Sequence, residues 1–445
     1  MSNGSLAELL AAWLPTRRWF AGGRATVRGV TIRSDVMLAS GDPELRHLLA
    51  DVKVGAETVS YQILVGLGTR LAPHLSEAMI GTLADGRVAY DGALDPDLTA
   101  VLLRGIAAGR SVGPLRFIPE PDAVIDIQAP ARTLPALQSN TAVVFGQSAI
   151  LKLLRRPFEG HHPDLEIPAR LARAGSRLVA APLGWIEADG AILAILSRYF
   201  AHASDGWKLA TASLRAAEPD FSAQARLLGQ ATAQLHAELA QAFGVSILPR
   251  ASLADLTGNM AAELAAAVGV VTELAGYRRA IQACYTGLAG RASPIPIQRI
   301  HGDYHLEQVL GTEDVISGED AWVILDFEGE PSVPLARRRA FTTTMRDVAG
   351  MLRSFDYAAR HEELREPGNQ RLKAVSADWV ARCQDAFCAG YGAASGSDPR
   401  ANGQLLRALT LQKAVYEAVY EARHRPGWLP IPLHAIAEAV DEGDR

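Results

Sequence analysis

The sequence predicts an α+β protein, and three observations carry that expectation. Segments rich in β-branched residues, with alternation and Gly/Asp punctuation, dominate the chain as far as Phe200, the pattern of strands. After Asp205 the text turns to long Ala/Leu-rich stretches of helical period. Hydrophobic residues make up 49% and charged residues 21% of the 445 residues, the balance of a soluble globular protein. At roughly 150 residues per domain, that length predicts two or three structural units.

Residues 5–14 have helical spacing, followed by RRWFAGGR as a turn with Trp19 and Phe20; these two and Trp13 read as packing residues. Strands are expected at Ala25–Leu38, Leu45–Val54 and Thr58–Leu67, then a helix at His74–Leu83, a strand near Gly86–Tyr90 and a helix at Asp95–Ala108. A boundary is expected near residue 95. GPLRFIP, PARTLPALQ, TAVVFG and SAILKLLRR read as strands, Asp164–Ala174 as an amphipathic helix, and LVAAPLGWIEA and GAILAILSRYF as further strands. Helices are expected at Phe221–Ala242, Ser252–Leu264, Val271–Leu288, Met345–His361, Ala374–Tyr391 and Gln404–Arg423, with short strands near Ile297–Ile300 and Trp322–Leu325.

Composition excludes several functions. The net charge of −5 lacks the basic surplus with which a nucleic-acid binder neutralises phosphates. No segment offers about 18 consecutive apolar residues, so no membrane span is expected. The first residues lack a charged n-region and a long apolar core, so no signal peptide is expected. Three cysteines, Cys284, Cys383 and Cys388, fit neither a disulfide framework nor a zinc site, which points to a reducing cytoplasm. Only five of 44 basic residues are lysine, at positions 53, 152, 208, 373 and 413, so each lysine is a marked choice.

Two segments carry chemistry. HGDYHLEQVL begins at His301, and VILDFEGEP begins at Val323; in each an acidic residue follows a short apolar strand, which projects a carboxylate into a cleft. Phosphoryl transfer needs a base for the attacking hydroxyl and oxygen ligands for Mg²⁺. Asp303 suits the base, and Gln308 with Asp326 suits the metal.

The paired segments resemble the catalytic and metal-binding loops of the protein-kinase-like superfamily, in its branch of aminoglycoside and other small-molecule kinases. Such kinases hold the nucleotide's α- and β-phosphates with a lysine fixed by a helical glutamate. Lys152 in SAILKLLRR and Glu166 in PDLEIPARL match in type and order. LQSNTAVVF then stands where a phosphate-covering loop would lie, with Ser139, Asn140 and Thr141 over the phosphates, and the strand ending at Tyr199 and Phe200 leads to a hinge near the adenine. ATP and Mg²⁺ are the implied requirements.

RRWFAGGR, LQSNTAVVFG, LKLLRR, PDLE, ASDGW, QRIHGDYHL, DFEGEP, RDVAGMLRSFDYAA and KAVYEAVYEARHRPGWLPIPL extend the resemblance over nearly the whole chain, to the bacterial maltokinases and their glucosamine kinase relatives. This implies a bilobal protein-kinase-like fold with an amino-terminal cap: cap at 1–95, a mixed β-sheet N-lobe at 96–200 and a mainly helical C-lobe at 201–445. By carry-over Asp303 is the catalytic aspartate, Gln308 and Asp326 are metal ligands, and Glu328 is a further one.

The departures fall on the acceptor side. Glu307 stands where a maltokinase is expected to have glycine, Gln412 replaces an acidic residue, and Thr342 to Thr344 replace a charged and proline-containing segment. A carboxylate near the acceptor is costly to desolvate unless it meets a cation, and the ammonium of glucosamine would supply one; alternatively Glu307 is simply solvated. On the last long helix, Gln412, Tyr416 and Tyr420 form one stripe and Lys413, Glu417 and Glu421 the next. They read either as sugar contacts or as core tyrosines beside a solvated Lys413–Glu417 pair. The acceptor-side set is Asp303, His305, Glu307, Gln412, Tyr416, Glu417, Tyr420 and Trp428, with His305 ordering the catalytic loop. Asp347 reads as structural, hydrogen-bonded to that loop.

The expected activity is therefore an ATP-dependent sugar kinase converting glucosamine to its 6-phosphate. The alternatives are a maltokinase making maltose 1-phosphate, an aminoglycoside phosphotransferase, and a non-catalytic sensor. A small sugar is the expected partner, with the protein a monomer or weak homodimer.

Overall fold

The computed structural model describes residues 4–20, 27–134, 140–290, 293–312, 322–330, 333 and 335–441. The chain divides into two compact units, Met1–Ala169 with Ala180–Ala201, and Arg170–Val179 with His202–Arg445. The first is built mainly of strands and the second mainly of helices, giving an α+β protein.

The first unit begins with α1 (Leu6–Trp13), started by a reciprocal cap between Ser5 and Glu8 that satisfies two otherwise orphaned backbone donors. Five antiparallel strands follow: β1 (Val27–Ala39), β2 (Glu44–Val54), β3 (Glu57–Gly68), β4 (Met79–Thr82) and β5 (Val88–Asp91), in the order β1-β2-β3-β5-β4. Trp13, Trp19 and Phe20 are buried against Tyr61 and the face of this sheet, as their size and spacing predict. The helix expected at His74–Leu83 is instead a 3₁₀ turn, Pro73–Ala78, followed by β4. Pairing with β5 and the seating of Leu9 over Gly81, where a Cβ would approach Leu9 to 2.6 Å, override the local helical spacing.

α2 (Pro96–Ala107) starts where Asp95 accepts from the amides of Asp97 and Leu98, with proline at the first helical position, a placement that costs no hydrogen bond. A second antiparallel sheet comprises β6 (Ser111–Val112), β7 (Leu115–Pro119), β8 (Ala131–Thr133), β9 (Asn140–Phe145), β10 (Ala149–Glu159), β11 (Pro182–Ala188) and β12 (Ala191–Arg198), in the order β6-β7-β11-β12-β10-β9-β8. α3 (Pro163–Arg173) opens beside β10. One core joins Leu38, Leu45, Leu64 and Tyr90 to Leu98, Phe117, Phe145, Leu151 and Leu196, so apolar packing is continuous across residue 95.

Two polar contacts tie the sheets of this unit together. The buried Gln62 amide donates to the carbonyls of Leu154 and Leu193, and its oxygen meets His47 Nε2 at 3.1 Å. The buried Arg155 donates to both carboxylate oxygens of Asp91, at 2.7 and 3.2 Å, and its Nε donates to Thr141 Oγ1 at 2.8 Å. Its guanidinium also lies 4.5 Å from the centre of the Trp19 ring.

The second unit contains β13 (Ser204–Asp205), α4 (Gly206–Arg215), α5 (Ser222–Phe243), β14 (Val245–Ile247), α6 (Arg250–Val268), α7 (Arg278–Ala289), β15 (Pro296–Gln298), β16 (Val309–Gly311), β17 (Trp322–Ile324) and α8 (Leu335–Arg338). Four further helices follow: α9 (Met345–Arg365), α10 (Gln370–Ser395), α11 (Gly403–His424) and α12 (Pro430–Asp441). The predicted helix at Val271–Leu288 is a 3₁₀ turn, Thr272–Gly276, and then α7. β13, β16 and β17 form a small antiparallel sheet. Helices α5 and α10 meet backbone to backbone: a Cβ on Gly229 would lie 2.1 Å from the Phe387 carbonyl oxygen, a separation only glycine permits. Phe221, Phe355, Trp379 and Phe387 form an aromatic cluster in the core of this unit. Among the described residues no helix is long and apolar enough to cross a membrane.

Candidate active site

The segment His301–Gln308 lies between β15 and β16 and is held from below by α9. Asp347, fully buried near the start of that helix, accepts from the amides of His301 at 2.8 Å and Gly302 at 2.9 Å. His236 on α5 meets the same carboxylate at 3.1 Å. Burial pushes the Asp347 carboxyl up, but the His236 hydrogen bond and charge and the amide donors outweigh it and leave the group below its ordinary value. Asp347 thus has the structural role that its sequence position predicts. Ser354, two turns further along, accepts from the Leu306 amide at 3.0 Å. Between them Gly350 admits the loop: a Cβ there would stand 2.6 Å from the Tyr304 carbonyl oxygen.

His301 joins its own segment to the second motif. Its Nε2 donates to the Leu325 carbonyl at 2.7 Å, and its Nδ1 accepts from the Asp303 amide at 3.3 Å. Leu325 in turn donates its amide to the Gln308 carbonyl at 2.9 Å. Gln308 Nε2 lies 3.4 Å from Asp326 Oδ2, so the two side chains expected to share a metal do come together. Asp326 has a left-handed backbone, φ +59°, a conformation uncommon outside glycine and enriched at functional positions. Asp326 and Glu328 each offer a carboxylate oxygen within 4.8 Å of the other. The two carboxylates, with the amide oxygen that Gln308 would present once its amide, whose nitrogen faces Asp326 here, is turned over, make a hard, all-oxygen donor set that fits Mg²⁺.

Asp303 is 20% exposed, and its two oxygens differ. Oδ1 accepts from Lys413 Nζ at 3.2 Å, while Oδ2 stands 3.9 Å from His305 Nε2, beyond hydrogen-bond range. Burial acts to raise the Asp303 carboxyl, but the Lys413 charge, assisted by His305, holds it below the ordinary range. Burial pushes His305 down to about 4, so its imidazole is neutral near pH 7. Lys413 also donates to Glu330, at 2.5 Å. The two carboxylates raise the Lys413 ammonium above its usual value in spite of its burial.

This arrangement replaces the solvated Lys413–Glu417 pair considered from the sequence. Glu417, its side chain 14% exposed, accepts from Arg353 at 2.6 and 3.1 Å. Gln412 is bound at both ends of its amide, accepting from Arg346 at 3.0 Å and donating to Glu263 at 2.6 Å. Tyr416 stacks on Tyr420 with ring centres 6.5 Å apart and lies 5.1 Å from the Lys413 ammonium. Trp428 packs under Arg425 at 4.1 Å and beside His361 at 4.6 Å. Glu307 projects outward, its side chain 66% exposed and its nearest carboxylate oxygen 3.9 Å from His305 Nδ1. The desolvation argument for a partner cation therefore applies only once something covers it.

In the first unit, Lys152 sits on β10 opposite Ala142 and Ile195, and its ammonium donates to Asp164 at 2.9 Å. Asp164, two residues before Glu166 in the first turn of α3, is a partner the sequence reading did not single out. Thr141 needs a correction: it is buried, and its hydroxyl accepts from Arg155 rather than being open to phosphates. Asn140 begins β9, and Ser139 lies outside the described residues. The Tyr199 amide donates to Ser148, and Phe200 lies 5.0 Å from the Arg198 guanidinium.

Lys413, Glu330, Arg353 and Asp164 are thus what the motif reading missed. The scarcity of lysine was the available signal for Lys413; nothing local distinguished the other three.

Known proteins give an independent view. Residues 13–95 match the family model of the maltokinase N-terminal cap domain. A glucosamine kinase from Streptacidiphilus jiangxiensis is 30% identical over 326 residues, 68% of this chain and 72% of the relative. One from Mycolicibacterium smegmatis is 30% identical over 339 residues, 70% of this chain and 80% of the relative. A solved glucosamine kinase in complex with glucosamine, ADP and inorganic phosphate superposes with a TM-score of 0.69 at 23% identity, covering 98% of this chain and 99% of that one. That agreement extends the shared fold to nearly the entire chain.

Proposed function

Because the chain belongs to the glucosamine kinase family, we propose that it is an ATP-dependent phosphotransferase that moves the γ-phosphoryl group onto D-glucosamine, giving glucosamine 6-phosphate. The observation that carries this reading is the 30% identity to two glucosamine kinases over 72% and 80% of their lengths. The geometry around Asp303 supports it. One carboxylate oxygen is tied to Lys413 and the other is not hydrogen-bonded to His305, so Oδ2 is the atom to accept the proton of the attacking hydroxyl. The primary hydroxyl is the sterically accessible one, hence the 6-phosphate.

Gln308, Asp326 and Glu328 would hold Mg²⁺. When bound, the ion neutralises charge on the nucleotide phosphates. Lys152 is assigned to the α- and β-phosphates, with Asp164 and Glu166 at the start of the following helix. Catalysis by these groups is mainly positioning and charge stabilisation, because phosphoryl transfer through a loose transition state asks little covalent chemistry of the protein. Glu307 is assigned to the ammonium of the acceptor: covered by the sugar, it would gain a charge-assisted hydrogen bond in place of water.

The test is ADP release with Mg·ATP and, in parallel, glucosamine, glucose, N-acetylglucosamine, maltose and kanamycin. The expected outcome is the highest kcat/KM with glucosamine and a marked loss with glucose. Preference for maltose would overturn the acceptor assignment in favour of the reading that the cap match at residues 13–95 favours. ATP binding without turnover on any of these acceptors would overturn the kinase assignment for them.

A further inference from the structure

We propose that Lys413 is a positioning residue that clamps the Asp303 carboxylate to Glu330, fixing which oxygen of the base faces the acceptor hydroxyl. The inference rests on the reading of Asp303 as the base. Lys413 lies on a helix, Gly403–His424, remote in sequence from both motifs.

The geometry is specific. Lys413 projects from α11 and donates to Asp303 Oδ1 at 3.2 Å and to Glu330 Oε1 at 2.5 Å. All three side chains are less than a quarter exposed, at 19%, 20% and 17%. Glu330 belongs to the DFEGEP segment, four residues beyond Asp326. The ammonium therefore bridges the base loop to the segment that carries the expected metal ligands. An aspartate side chain rotates freely about two bonds unless its oxygens are anchored. With Oδ1 anchored, the carboxylate plane is set and Oδ2 is left for the proton.

A lysine suits this task better than a neutral donor. Two carboxylates brought together without an intervening cation repel one another and resist desolvation. The lysine has three N–H groups, enough for both, and the Tyr416 ring 5.1 Å away accommodates its charge on another side. The clamp thus gives the base a fixed geometry at the cost of one buried charge that is itself matched.

The experiment compares Lys413→Met, Lys413→Arg, Glu330→Gln and Asp303→Asn in the full-length protein. Steady-state kinetics with glucosamine and Mg·ATP and a thermal melt are recorded for each. Lys413→Met should lower kcat about 100-fold, the penalty of a misplaced reacting group, with the KM for ATP within about two-fold of wild type. Lys413→Arg keeps a charged donor and should recover part of that loss. Glu330→Gln should lower kcat more mildly, because the lysine keeps its bond to Asp303 but loses its second anchor.

A folded Lys413→Met protein with wild-type kcat would overturn the clamp. A rise in the ATP KM at unchanged kcat would also overturn it, moving the lysine to nucleotide binding. If Lys413→Met does not fold, Lys413→Arg and Glu330→Gln decide the matter: wild-type kcat in both would sink the proposal. The Asp303→Asn control separates the two levels of inference. Full turnover in that variant would remove the base assignment itself, whereas loss there with wild-type kcat in the Lys413 and Glu330 variants would remove the clamp alone.

Discussion

Replacing Arg155 with methionine should destabilise the protein by roughly 3–5 kcal/mol, the cost of breaking a buried ion pair from one side. The side chains of Arg155 and Asp91 are 1% and 3% exposed and share two hydrogen bonds. Methionine preserves much of the packed stem, so the loss is chiefly that of an uncompensated Asp91 carboxylate, a Thr141 hydroxyl without its donor, and the contact with Trp19. The cause can be separated by a double-mutant cycle. Asp91→Asn in the Arg155→Met background removes the stranded charge, so the double variant should be more stable than the single by about 1–3 kcal/mol, the desolvation penalty of an unsatisfied buried group. Urea unfolding followed by far-ultraviolet circular dichroism and by tryptophan fluorescence gives the free energies, with a constant slope confirming comparable transitions. A loss below about 1 kcal/mol for Arg155→Met, or a double variant less stable than the single, would refute the view that this pair is a desolvated and mutually dependent unit.

Two further outcomes follow from the same physics. Burial lowers His47 from 6.5 to about 4, so between those values the unfolded chain binds a proton that the folded one does not. Stability is therefore complete above pH 6.5 and falls as the pH drops. Between pH 7.5 and pH 5 the His47 contribution is about 2 kcal/mol, and His47→Leu should flatten the urea midpoint's pH dependence by that amount; an unchanged slope would refute the assignment. Glu307→Gln should raise the KM for glucosamine about 10- to 100-fold, the worth of one hydrogen bond to a charged group, while changing the KM for glucose little. Equal effects on both sugars would show that Glu307 does not read the amine.

What was legible in the sequence is what is local. Asp303 and Asp326 each follow a short strand in a segment whose order implies the projection of a carboxylate, and Gln308, in the first of these segments, comes beside Asp326 as their shared expectation required. Asp347 was legible from the RDVAGML motif, in the first turn of a helix. β4 was not, because its pairing with β5 and its fit against Leu9 lie outside the window in which a helical period is judged. The solvated Lys413–Glu417 pair, one of the two readings open from the sequence, does not form because the partners of Lys413 lie 110 and 83 residues away, whereas Glu417 is only four residues along and satisfies every local criterion for an ion pair. Thr141 was assigned to phosphates by position, but an arginine fourteen residues later claims its hydroxyl.

The charged stripe of α11 shows why such local rules fail here in a consistent direction. On an exposed helix Lys413, Glu417 and Glu421 would pair among themselves for a few tenths of a kcal/mol. Buried, each charge needs its own matched partner, because desolvation is larger than any exposed pair can offset. Lys413 takes Asp303 and Glu330, Glu417 takes Arg353, and Glu421 takes the Tyr357 hydroxyl and Arg425. The stripe thereby becomes an inward-facing scaffold. Asp303 and Glu330 carry two negative charges against one on Lys413, and His305 adds none because burial keeps it neutral. Glu307 stands beside His305 with its side chain 66% exposed, and the positive charge of Arg425 also acts on it. Without Lys413, Asp303 would face Glu330 with no cation between them.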